Sequence, residues 1–283
     1  MWTFILIYSR PEFGRIGAAI FSSTPSSPNS TPAPGAKLAS AEELVDSMDR
    51  EGVDVSVVLN IGWSSHELCL ESNDYLLEMA ARYPGRLVPF CAVQPRAGEA
   101  ALRELERCAH GGARGVGELR PDRQGFDLGD ESVMEPLVAA LVENNLIWLS
   151  HASEPVGHAY PGKGGLTPDR LYQFIVQHPR LTVVLAHWGG GLPFYALMPK
   201  VAQALERVYF DTAASPWLYR SQVFRIAADL VGADKILLGS DYPLLPPQRI
   251  IEEARASGLS QSEMARILGG NARGLLGLGP GEG

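Results

Sequence analysis

The sequence predicts an α/β protein built as a single (β/α)8 barrel, and three observations lead to that prediction. Short apolar or β-branched segments alternate with amphipathic stretches of about 10 to 15 residues, which is typical of repeated strand–helix units around a parallel sheet. The chain has 283 residues, enough for such a barrel, which needs roughly 250. Ionisable side chains close several of the strands, at the edge of a barrel where active sites form.

The predicted strands are short, and most are rich in valine, isoleucine and leucine. They are WTFILIY (2–8), VDVSVVL (53–59), RLVPFCAV (86–93), ARGVGEL (113–119), LIWLSHA (146–152), LTVVLAH (181–187), RVYFDTA (207–213) and KILLGSD (235–241). The clearest helix between them has Ser40 as N-cap, Glu43 three residues later and Gly52 as a stop. A doubly wound open sheet is the alternative, but no glycine-rich phosphate turn follows the first strand.

The N-terminal segment differs in composition from the rest of the chain. Residues 21–35, FSSTPSSPNSTPAPG, are rich in serine, proline and threonine and cannot bury an apolar core. We therefore expect residues 1–35 to be an aberrant or disordered segment and residues 36–283 to form the barrel.

Charge and hydropathy exclude two classes of partner. The chain carries 24 lysines and arginines against 32 aspartates and glutamates, a net charge of −8, with no basic run that would bind nucleic acid. No apolar run reaches the roughly 18 residues of a membrane helix. The apolar start lacks a basic region and a cleavage site, and the three cysteines show no pair spacing, so we expect a cytoplasmic protein with a small-molecule substrate.

Polar residues that close the predicted strands are the candidates for chemistry. His151 ends the fifth strand, His187 the sixth and Asp241 the eighth. Imidazoles and carboxylates are ligands that zinc takes, so two histidines and an aspartate at equivalent strand ends favour a metal site over isolated capping roles. Asp211 is expected instead to bind backbone groups of the turn that follows it.

Glu118 lies near the end of the fourth strand and keeps three interpretations open. It is a candidate metal ligand, a general base, or a structural partner of Arg120.

The long segment after the fifth strand, HASEPVGHAYPGKGG, predicts a substrate-binding loop. His158 and Lys163 are candidates to pair with a carboxylate, and Tyr160 to donate to a carbonyl oxygen. Trp188, in AHWGG, is a further candidate for substrate binding, since the glycines beside it make either a tight turn or a close approach to substrate. The alternative for the whole loop is a solvated lid without specific contacts.

The segments LSHAS, LAHWGGG, YFDTAAS, LLGSDYP and GGNARGLLGL together resemble the amidohydrolase-related family of the amidohydrolase superfamily, which includes aminocarboxymuconate-semialdehyde decarboxylase. The resemblance extends from about Lys37 to Leu278. It implies a TIM barrel with one divalent metal, usually zinc, held by a His-x-His pair on the first strand, His151 and Asp241. It also implies that His187 positions or deprotonates the metal-bound water, that Asp241 moves the proton, and that the protein is a homodimer.

Members of this family hydrolyse C–N, C–O or lactone bonds, or release carbon dioxide. The expected function is therefore metal-dependent hydrolysis of a small organic acid, amide or lactone. A decarboxylase on the same scaffold is the first alternative, and a metal-free, non-catalytic barrel is the second. His187, Asp241 and Glu118 are the expected catalytic residues.

The first strand departs from the family pattern. The family has Asp-x-His-x-His where this chain has Trp2-Thr3-Phe4-Ile5-Leu6, so two of the four ligands are missing. Met-Trp-Thr is encoded ATG TGG ACN, and a reading frame two nucleotides later begins GTG GAC, Val-Asp. The same shift turns Phe-Ile and Leu-Ile into His codons when Phe uses TTC and Leu uses CTC. We therefore expect residues 1–35 to be a frameshifted translation, which sequencing of the 5′ end of the gene tests.

Overall fold

The computed structural model describes residues 2–6, 39–160 and 162–278, which form an α/β barrel-like fold. Apart from the first strand, the segment 1–35 that the sequence predicts to be aberrant lies outside the described residues. The eight parallel strands are neighbours in chain order, so the alternative doubly wound order is wrong. The strands are β1 (Trp2–Leu6), β2 (Val55–Leu59), β3 (Leu87–Cys91), β4 (Gly115–Leu119), β5 (Ile147–Ser150), β6 (Val183–Leu185), β7 (Val208–Asp211) and β8 (Ile236–Leu237).

Each strand lies within its predicted range, and helices occupy the intervals between them. The helices are α1 (Ala41–Glu51), α2 (His66–Arg82), α3 (Glu99–His110), α4 (Pro121–Gln124), α5 (Glu131–Glu143), α6 (Pro168–Gln177), α7 (Pro199–Ala204), α8 (Ser215–Leu218), α9 (Gln222–Val231), α10 (Pro247–Ala256), α11 (Gln261–Ala265) and α12 (Asn271–Leu275). Within the described residues, no helix is both long and apolar enough to cross a membrane.

The predicted boundaries of α1 are confirmed in detail. The Ser40 hydroxyl accepts a hydrogen bond from the backbone N–H of Glu43 at 3.2 Å, and the Glu43 carboxylate accepts one from the N–H of Ser40 at 2.8 Å. Gly52 ends the helix with φ of +68°, a conformation that glycine adopts without a steric penalty.

Side chains alternate between two apolar layers. Val57, Phe90 and Leu149 belong to the cluster inside the sheet, whereas Val116 and Trp148 pack in the cluster between the sheet and the helices. This period of two is what places every second residue of a strand on the inner face.

The register of β1 assigns its positions to these faces. Residues 2, 4 and 6 lie opposite Val55, Val57 and Leu59, which all belong to the inner cluster. Residues opposite one another in a parallel pair share a face, so positions 4 and 6 occupy inner-face register positions. These are the two positions where the family pattern has histidine.

Candidate functional site

His151 reaches the inner face because it continues the alternation of β5. Leu149 is inside the sheet and Trp148 outside, so the residue two after Leu149 is directed inward. The imidazole is buried, with Nδ1 2.7 Å from Oε1 of Glu118 and Nε2 3.0 Å from the hydroxyl of Ser153.

Glu118 faces the same space because β4 carries a register shift. Val116 pairs with Trp148 and Leu119 with Ser150, so β4 uses three steps where β5 uses two. Val116 and Leu119 consequently both face the helices, although residues three apart on a regular strand face opposite sides. The shift turns the Glu118 carboxylate inward to His151.

His187 enters the site through a turn, not through strand alternation. Val183 and Leu185 face the helices, and the same period would direct His187 outward too. The left-handed φ of +56° at His187 redirects its side chain, and the carboxylate of Asp211 holds that turn. Asp211 Oδ1 accepts from the backbone N–H groups of His187 at 2.9 Å and Ala213 at 3.0 Å, so its predicted backbone role is confirmed.

Asp241, four residues after the end of β8, lies against His187. Its Oδ2 is 3.7 Å from Nδ1 of His187, which also lies 3.3 Å from the carbonyl oxygen of Ala213. The rings of His151 and His187 meet edge to face with centroids 5.0 Å apart. The structure thus brings His151, His187, Asp241 and Glu118 together.

The pKa values of Glu118 and His151 are both lowered, so the carboxyl group is ionised and the imidazole neutral at neutral pH. Burial raises the pKa of Glu118, but the hydrogen bond and charge of His151 outweigh it, with smaller help from His187 and Arg120, and the pKa is about 2. Burial lowers the pKa of His151 to about 4, and the charge of Arg120 acts in the same direction. At neutral pH an ionised Glu118 accepts the Nδ1 proton of a neutral His151, which leaves the lone pair on Nε2.

The pKa values of His187 and Asp241 are raised, whereas those of His151 and Glu118 are lowered. Burial lowers the pKa of His187, but the charges of Asp241, Glu118 and Asp211 raise it to about 9. Burial raises the pKa of Asp241 to about 7, and the neighbouring carboxylates Glu118 and Asp211 act in the same direction against His187. Burial also raises the pKa of Asp211, to about 6. His187 and Asp241 therefore form a buried pair in which the pKa of each group is raised.

The donor set suits a divalent metal. One ligand atom from each of Glu118, His151 and His187 lies within 4.8 Å of the other two, and Asp241 adjoins His187. Imidazole nitrogen with carboxylate oxygen is the chemistry that zinc and manganese accept. A carboxylate on Nδ1 of a histidine is the usual support for a metal ligand bound through Nε2.

The predicted substrate-binding residues of the loop after β5 mainly bind one another. Lys163 donates from Nζ to the carbonyl oxygens of Val156 at 2.8 Å and His158 at 3.2 Å. The Tyr160 hydroxyl donates to Oε2 of Glu154 at 2.9 Å, and the His158 ring stacks 5.5 Å from the Tyr160 ring. The loop is therefore internally hydrogen-bonded, and residues 155–159 within it are exposed.

Trp188 is placed behind the site. Its side chain is fully buried, it donates through its indole N–H to the hydroxyl of Ser215, and its ring meets Phe224 edge to face. The structure leaves no surface of this indole exposed to a ligand.

Gly190, two residues on from Trp188, is a point of close backbone approach. A Cβ at Gly190 would lie 2.4 Å from the carbonyl oxygen of Ser153, and φ there is +62°. The close approach joins the turn after β6 to the loop that follows His151, so of the two interpretations of these glycines the structure shows a turn packed against protein backbone.

Sequence reasoning missed the parts that Ser153, Glu154, Tyr219 and Arg120 play. Ser153 bonds to His151 Nε2 and accepts from the N–H of Gly164 at 2.9 Å. Burial, and then the charge of Glu154, which accepts from Tyr160, raise the pKa of Tyr219. The signal in the sequence was positional, since Ser153 and Glu154 closely follow a strand-end histidine and Arg120 directly follows β4.

Known proteins are similar to this chain over most of its length. An amidohydrolase family model matches residues 32–278. The chain is 23% identical to 2-amino-3-carboxymuconate-6-semialdehyde decarboxylase of Dictyostelium discoideum, over 83% of this chain and 76% of that protein. It is also 23% identical to gamma-resorcylate decarboxylase of a Polaromonas species, over 75% of this chain and 76% of that protein.

Solved structures share the fold. The crystal structure of 5-carboxyvanillate decarboxylase from Sphingomonas paucimobilis superposes with a TM-score of 0.80 at 18% identity, over 99% of both chains. A dihydroxybenzoic acid decarboxylase from a Polaromonas species, with manganese and the inhibitor 2-nitroresorcinol bound, gives 0.74 at 21% identity, over 99% of this chain and 98% of that one.

Proposed function

The chain belongs to the amidohydrolase family, and from that premise we propose that it is a metal-dependent decarboxylase, a carboxy-lyase acting on a small carboxylic acid. The relatives with assigned activities favour this alternative over the hydrolase that the sequence led us to expect. The observation that carries the proposal is the pairing of His187 with Asp241 beside Glu118 and His151. The finer architecture we propose is a closed (β/α)8 TIM barrel, with this group at its carboxyl end.

The reaction breaks the bond between the carboxylate carbon and its neighbour. The electron pair stays on the neighbouring carbon, carbon dioxide leaves, and that carbon takes up one proton. The site must therefore supply an acid beside that carbon. His187, which lies 3.7 Å from Asp241, is suited to hold that proton and to be reprotonated from solvent.

His151 and Asp241 are the residues that we propose hold the divalent ion, with Glu118 supporting His151 and His187 directed at the substrate. A divalent ion held there would polarise a substrate oxygen and would stabilise negative charge on the substrate. Glu118 holds the imidazole of His151 in one orientation, and burial keeps that imidazole neutral. Zinc is our first candidate for the ion. Manganese is the second, because it is bound in two solved relatives.

Two further properties belong to the proposal. Exposed apolar side chains after β6, namely Tyr195, Leu197 and Met198, support a homodimer, which light scattering on the wild type and on Leu197→Asp tests. The three cysteines are free and buried, which supports a cytoplasmic location that cell fractionation tests.

The function is tested by loading the protein with zinc or manganese and assaying a panel of hydroxylated aromatic acids. The expected result is carbon dioxide and a product with one carboxylate fewer, carrying one deuterium when the reaction runs in D₂O. A new acid or amine without carbon dioxide would indicate the hydrolase. Absence of both metal binding and turnover would favour the non-catalytic barrel.

A further inference from the structure

β4 separates from β3 before it separates from β5. The β3–β4 pairing ends at Cys91 and Val116, whereas β4 continues beside β5 as far as Leu119 and Ser150. The last residues of β4, among them Glu118, therefore extend beyond the ladder that joins β4 to β3. Buried backbone groups at such a gap need partners other than the neighbouring strand.

The side-chain amide of Gln124 crosses this gap. Gln124 is buried at the end of α4, and its Oε1 accepts a hydrogen bond from the backbone N–H of Arg120 at 2.9 Å. Its Nε2 donates to the carbonyl oxygens of Trp63 at 3.1 Å and Val93 at 2.8 Å. Trp63 follows β2 and Val93 follows β3, so one amide joins the segments that follow three successive strands.

Gly62 leaves the space that this amide occupies. A Cβ at Gly62 would lie 2.5 Å from Oε1 of Gln124 and 2.9 Å from the backbone nitrogen of Arg120. The segment after β2 therefore packs directly on the hydrogen bond between Gln124 and Arg120. A side chain at position 62 would push these two atoms apart.

The hydrogen bond to Arg120 completes the support of the strand end that carries Glu118. The N–H of Glu118 donates to the carbonyl oxygen of Asn60 at 2.7 Å, and the carbonyl oxygen of Leu119 accepts from the N–H of His151 at 3.0 Å. Together with the glutamine bound to Arg120, these contacts fix one backbone group in each of residues 118, 119 and 120. They hold the Glu118 carboxylate at 2.7 Å from Nδ1 of His151.

We propose that Gln124 is a positioning residue of the metal site, which acts by holding Glu118 against His151 and touches neither metal nor substrate. This inference rests on the proposed metal-dependent function. A partner that orients a ligand's imidazole changes metal affinity by about 10- to 100-fold. A residue that positions this partner transmits part of that effect, so Gln124 should influence zinc affinity through Glu118.

Competition with a chelator of known affinity measures zinc binding by three variants. Gln124→Met removes the acceptor for the N–H of Arg120 and keeps a side chain of similar length, and zinc affinity should fall by about 10-fold. Gln124→Glu keeps that acceptor and should retain most of the affinity. Gly62→Ala displaces Oε1 of Gln124 and should also lower the affinity, which provides the measurement if Gln124→Met does not fold.

Gln94→Met is the matched control, because Gln94 is a second buried glutamine in the same gap. Its Nε2 donates to the carbonyl oxygens of Ser64 at 2.9 Å, Trp63 at 3.3 Å and Gln124 at 3.2 Å, and not to the end of β4. Gln94→Met should lower the melting temperature about as much as Gln124→Met while zinc affinity stays unchanged. An equal fall in zinc affinity in both variants would show that Gln124 has a merely structural role.

A double-mutant cycle determines whether Gln124 acts through Glu118. In the Glu118→Gln background, Gln124→Met should cause no further loss of zinc affinity, because the carboxylate that Gln124 positions is already absent. Independent effects would instead add. Additive losses, or unchanged affinity in both Gln124→Met and Gly62→Ala, would overturn the inference.

The outcomes distinguish this inference from the proposed function. A loss of zinc affinity in Gln124→Met that disappears in the Glu118→Gln background, with no carbon dioxide from any acid, would support the positioning role and refute decarboxylation. Carbon dioxide release by the wild type with unchanged zinc affinity in Gln124→Met would overturn the positioning role alone.

Discussion

Oε1 of Glu118 lies 2.7 Å from Nδ1 of His151, and this contact determines which nitrogen of the imidazole is available to a metal. An ionised carboxylate only accepts hydrogen bonds, so Nδ1 carries the proton and Nε2 keeps its lone pair. Of the three interpretations of Glu118, that of a structural partner of Arg120 is disfavoured, because the direct hydrogen-bond partner of Glu118 is His151.

Replacing Glu118 should weaken metal binding without unfolding the protein. In Glu118→Gln the neutral amide still contacts His151 but no longer holds the imidazole with a negative charge, and affinity for zinc should fall by about 10- to 100-fold. Competition with a chelator of known affinity measures the change. Glu42→Gln, a surface carboxylate paired with Arg82, is the control. Unchanged affinity in Glu118→Gln would refute the supporting role.

The register of β1 makes a specific prediction about the missing ligands. Phe4→His with Leu6→His places two imidazoles at inner-face positions opposite Val57 and Leu59, and zinc affinity should rise on the order of 100-fold because the site then has its usual number of protein ligands. Thr3→His with Ile5→His, at the alternate positions, is the matched control. An equal gain in both double variants would show that the register is not as described.

Gly190→Ala should destabilise the protein and disturb the loop after His151. The added methyl group meets the Ser153 carbonyl at 2.4 Å in a left-handed conformation, a combination expected to cost about 2 kcal/mol or more. Thermal unfolding measures the loss. Gly165→Ala is the control, because no heavy atom lies within 4 Å of the position its Cβ would take. Equal melting temperatures for both variants would contradict the packing.

Glu104 should make stability depend on pH far from the site. Its buried carboxylate accepts from Asn73 and Arg107, each at 2.7 Å, and Asn73 in turn binds Ala92 after β3. Burial raises the pKa of Glu104, but the bonds from Arg107, Asn73 and Cys108 outweigh it, and the pKa lies below its ordinary 4.5. The stabilisation is therefore present above pH 4.5 and is lost as the pH falls through the lower folded-state value.

Urea unfolding of the wild type and of Glu104→Gln measures how much the Glu104 carboxylate contributes to the free energy of unfolding at each pH. The variant should be less stable by about 2 kcal/mol at pH 7, and the difference should shrink as the pH falls below 4.5. Glu106→Gln, on the exposed face of α3, should follow the wild type throughout. A difference that stays constant with pH would exclude titration of Glu104 as the cause.

Most of the fold could be predicted because period-two apolar segments and helix caps are local signals. The strand-end positions of His151 and Asp241 followed from the same pattern. The contact of Glu118 with His151 could not, because it depends on a register shift that only the pairing of β4 with β5 reveals. The burial of Trp188 could not be predicted either, because the left-handed turn at His187 and Trp188 interrupts the strand's alternation of inward and outward side chains.

The extra residue in β4 has a wider consequence. If the residues from Val116 to Leu119 alternated strictly, Glu118 would face the helices and Leu119 the inner face, so the inner and outer sides would be exchanged for the remainder of that strand. The apolar side chain of Val116 and the carboxylate of Glu118 could then not both lie on the sides where they are now. The register shift allows both orientations, so the hydrophobic packing in the lower barrel and the charged residues at its mouth can vary independently.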